Sequence, residues 1–446
     1  MKIRTSVFAA VATISIVAGA CSSAATTAPT AAPATPAPAT ASAAPASAAP
    51  ASAAPASAAP ASAAPASSAP TSLSVTSFDA SFSAMSQLSS VVSAGSGLVG
   101  VILPDVTTSA RYTSYDLPYL TKAFQTAGYP ASDFKIQNAV GTTNTEVAIA
   151  QADIAAGAKV LLVDPLDGPT GKQIQSLAAA AGIPYISYDR ATFQGTNTYY
   201  VSFDNVQVGK LIGQGFIQCV ADWGVKAPKV FTLDGGQDTD PNAIDFAKGY
   251  NGVVWGQSVA QVKPGTTASH NGETYTLVGE QIAPGWDNAK GQTIFQQAYT
   301  ANKSINATIE ANDGLANSVI TVLKAAGVPA KKIPTTGQDA TLQGMESILQ
   351  GYQCGSVYKP IYLEAQAAVA LASYLRAGQT PPAALVNGTT TDPTNASVTE
   401  PAVLLTPLWV NEANMASTVI KDNFVSAKDL CAQVGASVCS AANIQP

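Results

Sequence analysis

The alternation of apolar and polar residues predicts a repeated strand–helix unit from Val99 onward. The apolar run "LVGVILPD" precedes "DLPYLTKAFQTAG", in which apolar residues recur at helical spacing, and "KVLLVDP" precedes "GKQIQSLAAAAG" in the same way. Short apolar runs separated by helices are typical of βαβ units and of a mostly parallel sheet. The runs are too many for one doubly wound sheet, so the pattern predicts two α/β lobes.

Polar residues concentrate where the predicted strands end. In parallel sheets the carboxyl ends of the strands share one edge, and ligands meet the loops at that edge. A turn or a helix cap explains each polar position by itself, but six of them at strand ends of both lobes predict a polar cleft between the lobes. The six segments are 105–111, 164–167, 189–190, 240–242, 312–313 and 338–339.

The stretch "NATIEANDGLANSVITVLKAAG" places Asn312 and Asp313 between a predicted strand and a predicted helix. Asn at such a junction is a preferred N-cap, because its side chain accepts a hydrogen bond from a free backbone N–H group. A cap alone and a cap that also meets a ligand are both consistent with these residues.

The first residues, "MKIRTSVFAAVATISIVAGAC", have the pattern of a secretory signal: two early positive charges, an apolar stretch, then small residues and Cys21. A spanning helix is the alternative, but the apolar stretch is shorter than the usual ~20 residues. The sequence predicts a lipoprotein signal peptide over 1–21, with cleavage before Cys21 and lipidation of that cysteine. Ala18 departs from the Leu that is usual three positions before the lipidated cysteine.

Residues 22–78 carry no charge, and the unit "ASAAP" recurs from Ala41 to Pro65. This composition lacks apolar side chains to bury, and Pro at this density blocks both helix and sheet. It predicts a disordered tether, about 150 Å long if fully extended as polyproline. Such a tether would hold a lipid-anchored domain away from the membrane.

The formal net charge is −6, and the sequence shows no basic face, so it predicts no nucleic-acid partner. Besides Cys21 there are four cysteines, and their spacing fits no zinc site. An even number outside the cytoplasm points to two disulfides. Cys431 and Cys439 are the natural local pair, which leaves Cys219 with Cys354; free buried thiols are the alternative.

The sequence does not predict an enzyme, a metal site or a cofactor. Its single histidine, His270, lies in a polar insert, and there is no G-x-S-x-G motif. The stretch "DTDPN" (238–242) is similar to the start of a calcium loop, but Ala243 and Gly249 replace the Gly and Glu that the loop needs. A DNA-binding regulator with two such lobes would begin with a helix-turn-helix, where this chain has its signal and tether.

Seven motifs follow one another along the chain: "YDR" (188–190), "VSFDN" (201–205), "PGWDNAKG" (284–291), "ANDG" (311–314), "GQDA" (337–340), "VYKPI" (357–361) and "LLTP" with "VNEANMASTVIKDNF" (404–424). In their order and spacing they resemble the periplasmic sugar-binding proteins of ABC importers, and above all their D-xylose-binding branch in the ribose/galactose/xylose family. The resemblance runs from about Val99 to Phe424. It implies two Rossmann-like lobes with parallel sheets, joined by three crossover strands and closing on one ligand, as in class I periplasmic binding proteins. It implies a first lobe of residues 98–206 and 359–402, and a second lobe of 207–358 and 403–446.

The same resemblance implies which residues contact the sugar. Carboxylates and amides accept and donate to hydroxyls, Arg and Lys donate charge-assisted bonds, and an indole covers the apolar face of the sugar ring. A core tryptophan is the alternative for Trp286, and a solvated lysine is the alternative for Lys359. The implied ligand residues are Arg111, Asp189, Arg190, Asp240, Asn242, Trp286, Asn312, Asp339 and Lys359.

We therefore expect a monomeric, lipid-anchored solute-binding protein on the outer face of the cytoplasmic membrane. It would capture a monosaccharide, above all D-xylose, and deliver it to an ABC permease. A sugar-sensing lipoprotein that signals to a membrane receptor is the alternative. The sequence does not separate the two, because in both kinds of protein the membrane partner recognises the closed lobes. The insert 257–280 and the cysteine-bearing C-terminal tail have no implied function.

Overall fold

The computed structural model describes residues 73–107, 109, 111–193 and 197–446. The predicted signal peptide, Cys21 and residues 22–72 of the predicted tether lie outside these residues. Within the described residues, no helix combines the length and the apolar character that crossing a bilayer requires.

Strands and helices alternate along most of the described chain. Its strands are β1 (Leu98–Leu103), β2 (Phe134–Asn138), β3 (Ala158–Val163), β4 (Tyr185–Tyr188), β5 (Thr198–Phe203), β6 (Lys229–Asp234), β7 (Thr267–His270), β8 (Glu273–Ile282), β9 (Ala307–Glu310), β10 (Gly337–Gln338), β11 (Ser356–Tyr358), β12 (Gly388–Thr391), β13 (Thr399–Leu405) and β14 (Leu408–Val410). Its α-helices are α1 (Ser89–Ala94), α2 (Leu117–Ala127), α3 (Thr143–Ala155), α4 (Gly168–Ala180), α5 (Asn205–Asp222), α6 (Pro241–Trp255), α7 (Asn288–Ala301), α8 (Asp313–Ala325), α9 (Leu342–Leu349), α10 (Ile361–Arg376), α11 (Ala427–Val434) and α12 (Ala436–Ala441).

The first lobe has one seven-stranded sheet in the order β12-β13-β5-β4-β3-β1-β2. All neighbouring strands are parallel except β12 and β13. β1 is buried on both faces from Val99 onward, as expected for a parallel strand with helices on both sides of its sheet. α2 turns Leu120, Phe124 and Ala127 toward the core at helical spacing. It ends at Gly128, whose φ of 91° is the left-handed conformation that glycine favours at a helix C-terminus.

The second lobe has a four-stranded sheet in the order β7-β8-β6-β9 and a three-stranded sheet in the order β10-β11-β14. The segment before β10 joins them, because Thr308 N donates to Pro334 O at 2.9 Å and Thr336 Oγ1 donates to Glu310 O at 3.0 Å. The predicted insert, 257–280, contributes the antiparallel pair β7 and β8 at the outer edge. The predicted pair of α/β lobes is confirmed.

The chain passes between the lobes three times: from β5 to α5, from β11 to α10 and from β13 to β14. The third crossing lies at Thr406 and Pro407, later than the predicted limit at residue 402. The physical reason is that Leu404 and Leu405 still pair with the strand β5 of the first lobe.

The packed domain begins earlier than the sequence predicts. Leu73 and Phe78, inside the predicted tether 22–78, are buried in the hydrophobic core cluster that includes the strands of the first lobe. They are followed by Met85, Leu88 and Val92, which belong to the same core. The prediction that the tether ends at residue 78 is therefore wrong, because the last residues of the predicted tether include apolar side chains that the core buries.

Two disulfides lie in the second lobe and the tail. Cys219 in α5 is bonded to Cys354, just before β11, at 2.09 Å. Cys431 in α11 is bonded to Cys439 in α12 at 1.97 Å. The tail also reaches the first lobe, where the ring of Phe424 stacks on Tyr115 with centroids 4.1 Å apart.

Candidate functional site

The carboxyl ends of the strands of both lobes face one cavity. All nine residues that the sequence implied line this one cavity: Arg111, Asp189, Arg190, Asp240, Asn242, Trp286, Asn312, Asp339 and Lys359. Four further residues complete the lining: Ser109, Tyr112, Phe246 and Gln338.

Three cavity residues have a left-handed backbone, and two of them follow directly on a strand. Asp189 comes after β4 with φ of 57°, Asp339 comes after β10 with φ of 91°, and Trp286 has φ of 60°. Residues other than glycine rarely adopt this conformation, and such positions cluster at ligand sites where the surrounding structure fixes them. The strained backbone therefore supports a functional role for these three residues.

Arg111 lies in the wall of the first lobe, bonded to three carboxyl groups. Its Nε and Nη2 donate to the two oxygens of Asp116 at 2.9 and 2.8 Å, Nη1 donates to Asp189 at 2.5 Å, and Nη2 also donates to Glu364 at 2.7 Å. A guanidinium has five N–H groups, so these four bonds leave one N–H for a ligand. Burial lowers the pKa of Arg111, but the three carboxyl groups outweigh it and raise the pKa above its ordinary value.

Arg190 is held by the first lobe and faces the second. Nη1 donates to the carbonyl oxygens of Pro165 and Leu166 at 3.2 and 3.0 Å, and Nη2 donates to the hydroxyl of Tyr112 at 3.0 Å. Nε lies 3.8 Å from the Asp240 carboxylate of the second lobe. The guanidinium is thus held by neutral oxygens and by the buried Asp164 carboxylate of the first lobe, 3.9 Å from Nε, and its charge lies at the cleft.

Lys359 lies at the second crossing between the lobes, and it pairs with a carboxylate from each of them. Its Nζ is 3.3 Å from Asp339 and 3.6 Å from Asp189. Burial lowers the pKa of Lys359, but the two aspartates outweigh it and leave the pKa raised. Burial raises the pKa of Asp189, yet Arg111, Lys359 and Arg190 together bring it below its ordinary value. Both groups therefore stay charged when buried.

Asn312 is the N-cap of α8, since its Oδ1 accepts from Leu315 N at 2.9 Å. That bond fixes the orientation of the amide. The Nδ2 group forms no hydrogen bond within the described residues, and the side chain lines the cavity. Asn312 can therefore cap the helix with its oxygen and at the same time donate an N–H group to a ligand.

Asn242, near the start of α6, connects the second lobe to the first. Its Nδ2 donates to the backbone oxygen of Asp189 at 2.6 Å, and its Oδ1 accepts from Ala191 N and from the Tyr200 hydroxyl, both at 3.3 Å. Three of the four hydrogen bonds that an amide can make are used across the cleft. The structure therefore has closed lobes.

Trp286 belongs to the core of the second lobe and to the cavity at once. Its Nε1 donates to Asp240 Oδ2 at 3.1 Å, and its ring lies edge-on to Phe246. The indole lies on Gly235 and Gly236, where a Cβ on Gly235 would overlap the ring and a Cβ on Gly236 would be 2.8 Å from Cδ1. Two glycines after β6 thus leave the space that the indole occupies.

The cavity presents donors, acceptors and aromatic surface around one neutral ligand. Three cations, Arg111, Arg190 and Lys359, oppose three carboxylates, Asp189, Asp240 and Asp339. Hydroxyl groups donate and accept at the same atom, so a polyhydroxylated ring can bond both kinds of partner. Trp286, Phe246 and Tyr112 can cover its apolar C–H faces.

The sequence analysis placed Ser109 and Gln338 in the predicted cleft segments without naming them as ligand residues, and it did not place Tyr112 or Phe246 in the cleft. Tyr112 follows an implied ligand residue, and Gln338 precedes another. Phe246 lies one helical turn after Asn242 on the same face of α6, a position that helical spacing could have indicated.

Neither the histidine nor the calcium-like stretch is part of a metal site in the described residues. No group of three or more metal-binding side chains occurs there. His270 does not line the cavity, and its Nε2 lies 2.8 Å from the backbone oxygen of Val254. Asp240, in the calcium-like stretch, instead accepts from Asn242 N at 2.9 Å as the N-cap of α6.

Residues 99–380 match the model of the periplasmic binding protein domain. The chain belongs to the periplasmic binding protein family. Within this family it is 32% identical to the D-xylose-binding periplasmic protein of Escherichia coli K12. The 296 matched residues cover 66% of this chain and 82% of the relative. It is 28% identical to the multiple sugar-binding periplasmic receptor ChvE of Rhizobium radiobacter, over 76% of this chain and 93% of the relative.

Solved periplasmic binding proteins share the fold. A carbohydrate transporter solute-binding protein of Chloroflexus aurantiacus, in complex with D-glucose, superposes with a TM-score of 0.62 at 25% identity, covering 75% of this chain and 98% of that one. The Caulobacter myo-inositol binding protein gives a TM-score of 0.57 at 18% identity, over 74% and 98% of the two chains.

These comparisons confirm three predictions and the coarser part of a fourth. The fold is that of class I periplasmic binding proteins, and the protein is a periplasmic sugar-binding protein of the xylose/ribose/galactose family. It is not an enzyme, because its relatives are sugar-binding transport proteins. Its location is extracytoplasmic, like that of the relatives.

Proposed function

We propose that the protein captures a neutral monosaccharide, D-xylose first, between its closing lobes and delivers it to an ABC permease. The observation that carries the proposal is the charge balance of the cavity. Its three cations each lie within 4 Å of a lining carboxylate, so an ionic ligand would leave a buried charge without a partner. A neutral polyol leaves every charge paired and adds hydrogen bonds.

Two relatives support the preference for an aldose. The Escherichia coli relative is a D-xylose-binding protein, and the Chloroflexus aurantiacus protein holds D-glucose. These two sugars differ by one hydroxymethyl group. A site built to bond hydroxyls rejects a ligand that leaves its buried polar groups unpaired, so small differences around the cavity decide between the two.

Titration calorimetry tests the proposal with D-xylose, L-arabinose, D-ribose, D-glucose and D-galactose, and with D-glucuronate as the charged counterpart of glucose. We expect D-xylose to bind most tightly and glucuronate not to bind, because its carboxylate would add an unpaired buried charge. Tighter binding of glucuronate than of glucose would contradict the neutral-ligand proposal. Tighter binding of another neutral sugar would contradict the choice of D-xylose but not the proposal that the ligand is neutral.

The lipid anchor at Cys21 belongs to the same proposal, and the signal sequence supports it. We expect the wild-type protein in the membrane fraction, with acyl-modified Cys21 as its first residue. Cys21→Ala should leave the protein unprocessed or release it to the medium, because no thiol is left to acylate. Mass spectrometry of the N-terminal peptide and fractionation measure this, with Ser22→Ala as the matched control. A Cys21→Ala protein with unchanged membrane attachment and mobility would contradict the anchor.

A further inference from the structure

The turn that carries Asp339 into the cavity has an unfavourable backbone conformation. It leads from β10 to α9, and two successive residues other than glycine, Asp339 and Ala340, are left-handed there with φ of 91° and 50°. Residues with a side chain rarely adopt this conformation, and it persists only where the surrounding structure enforces it. The direction of the Asp339 carboxylate therefore depends on the bonds that hold this turn.

All three backbone N–H groups of the turn donate hydrogen bonds. The bonds run from Asp339 N to Val357 O at 2.9 Å, from Ala340 N to Ser356 Oγ at 3.0 Å and from Thr341 N to Asp313 Oδ2 at 2.8 Å. The first acceptor is a backbone oxygen of the neighbouring strand β11. The other two acceptors are side chains, and Ser356 is itself bonded to Asp313, so two of the three bonds depend on Asp313.

Asp313 is the first residue of α8 and is completely buried. Unlike its neighbour Asn312, it is not among the described residues that line the cavity. Its Oδ2 accepts from the N–H group and from the hydroxyl of Thr341, at 2.8 and 3.0 Å. Its Oδ1 accepts from Gln353 Nε2 and from Ser356 Oγ, both at 2.8 Å. The side chain therefore joins the start of α8 to the turn and to β11.

The directions of these bonds require a carboxylate. A hydroxyl has one proton to donate. Thr341 Oγ1 accepts from Gly344 N at 3.0 Å, and Ser356 Oγ accepts from Ala340 N, so each hydroxyl keeps its proton for Asp313. All four partners of Asp313 are therefore donors, whereas an amide has only one atom that accepts. A Cβ on Gly344 would overlap the carboxylate, so the space around it is also fitted to this side chain.

We propose that Asp313 is a positioning residue for sugar binding, which holds the turn 339–341 so that the Asp339 carboxylate faces Lys359 and the ligand. This inference rests on the proposed function of the cavity. It gives the two polar residues between β9 and α8 separate roles. Asn312 offers its N–H group to the ligand directly, whereas Asp313 acts through Asp339.

The experiment replaces the carboxylate of Asp313 by an amide of nearly the same shape. Asp313→Asn leaves one pair of donors without an acceptor, whichever way the amide turns. Glu310→Gln is the matched control. Glu310 is completely buried in the same lobe, and its carboxylate accepts from Thr336 N at 2.8 Å, a residue outside the turn and the described cavity lining.

Two measurements separate positioning from a general loss of structure. Calorimetry with the best-bound sugar gives the affinity. Hydrogen exchange in the unliganded protein follows the N–H groups of residues 339–341, with those of β1 as the reference for opening of the whole molecule. Burial and the charge of Asp339 raise the pKa of Asp313 to about 7, although the hydrogen bonds that its carboxylate accepts lower it. Both measurements are therefore made at pH 8, where the carboxylate is mostly ionised.

We expect Asp313→Asn to bind the sugar about tenfold more weakly, as two lost hydrogen bonds imply. Hydrogen exchange of the turn should be faster by a similar factor, and that of β1 should change less. Glu310→Gln should bind within about twofold of the wild type.

An Asp313→Asn protein that binds within threefold of the wild type overturns the inference. So does weaker binding in which exchange of the turn rises no more than that of β1, because the residue would then act through the stability of the whole fold. If the wild type binds no monosaccharide, the proposed function fails and the inference falls with it.

Discussion

Asp339→Asn is expected to weaken sugar binding by a factor of roughly 30 to several thousand, while the unliganded protein melts at nearly the same temperature because Lys359 keeps Asp189 as a partner at 3.6 Å. The carboxylate lies in the closed cavity, 3.3 Å from Lys359 Nζ, where a sugar hydroxyl would donate to it. Loss of one partner of a buried charged pair costs about 2 to 5 kcal/mol, which gives this range of affinities. Asparagine is the sharper choice over alanine, because the φ of 91° at this position suits Asn better.

Calorimetry with the best-bound sugar measures the affinity, and melting with and without sugar separates binding from folding. The sugar-induced rise in melting temperature should vanish in the variant, since that rise reports binding to the folded state. Asp222→Ala is the matched control, because Asp222 lies in α5 and does not line the cavity. An Asp339→Asn protein that binds within threefold of the wild type would show that the cleft is placed wrongly.

Arg111→Met is expected to lower the free energy of unfolding by about 3 to 5 kcal/mol, because it leaves buried carboxylates without their cation. Arg111, Asp116 and Glu364 are all at most 2% exposed, so solvent screens this loss little. Chemical denaturation at pH 7 measures the change. Lys135→Met is the matched control: the Lys135 side chain is 52% exposed in its pair with Asp153, and such a pair contributes about 0 to 1 kcal/mol.

The dependence on pH distinguishes this electrostatic cause from a packing defect. Burial raises the pKa of Asp189, and Arg111 is the first of the cations that bring it below its ordinary value. Without Arg111 the pKa of Asp189 rises in the folded state but not in the unfolded one. A carboxylate with a lowered folded-state pKa stabilises the fold above its unfolded pKa, so the loss of stability caused by Arg111→Met should shrink as the pH falls below about 4. A deficit that stays constant from pH 7 to pH 3 would contradict the ion-pair account.

The sequence was sufficient for the fold class, because apolar runs and helical spacing are local signals. "LVGVIL" and "KVLLV" are continuous apolar runs, and the structure has them as the neighbouring parallel strands β1 and β3. The segment 79–94 was not assigned, since its short helical turns have no long amphipathic period. The limit of the tether was missed for a related reason: two apolar residues among Ser and Thr decide where packing begins.

For the site, the motifs were sufficient to select the residues that line one cavity, and their role in binding stays a prediction. The motifs could not predict which partners each side chain bonds. Arg111 bonds Glu364 across 253 positions of sequence, and Asn242 bonds the backbone of Asp189 across 53. Such partners are set by the fold as a whole, so no local pattern shows that most of the Arg111 donors are already used.

The three crossings between the lobes impose an order on folding. Strand β13, at 399–405, lies beside β5 in the first-lobe sheet, and helix α10, at 361–376, packs against that sheet. The first lobe therefore lacks an inner strand until residue 405 of 446 is available. Proteins dominated by contacts distant in sequence fold slowly. An exported chain of this design must cross the membrane almost whole before either core can close, and until then its apolar strands depend on protection from aggregation.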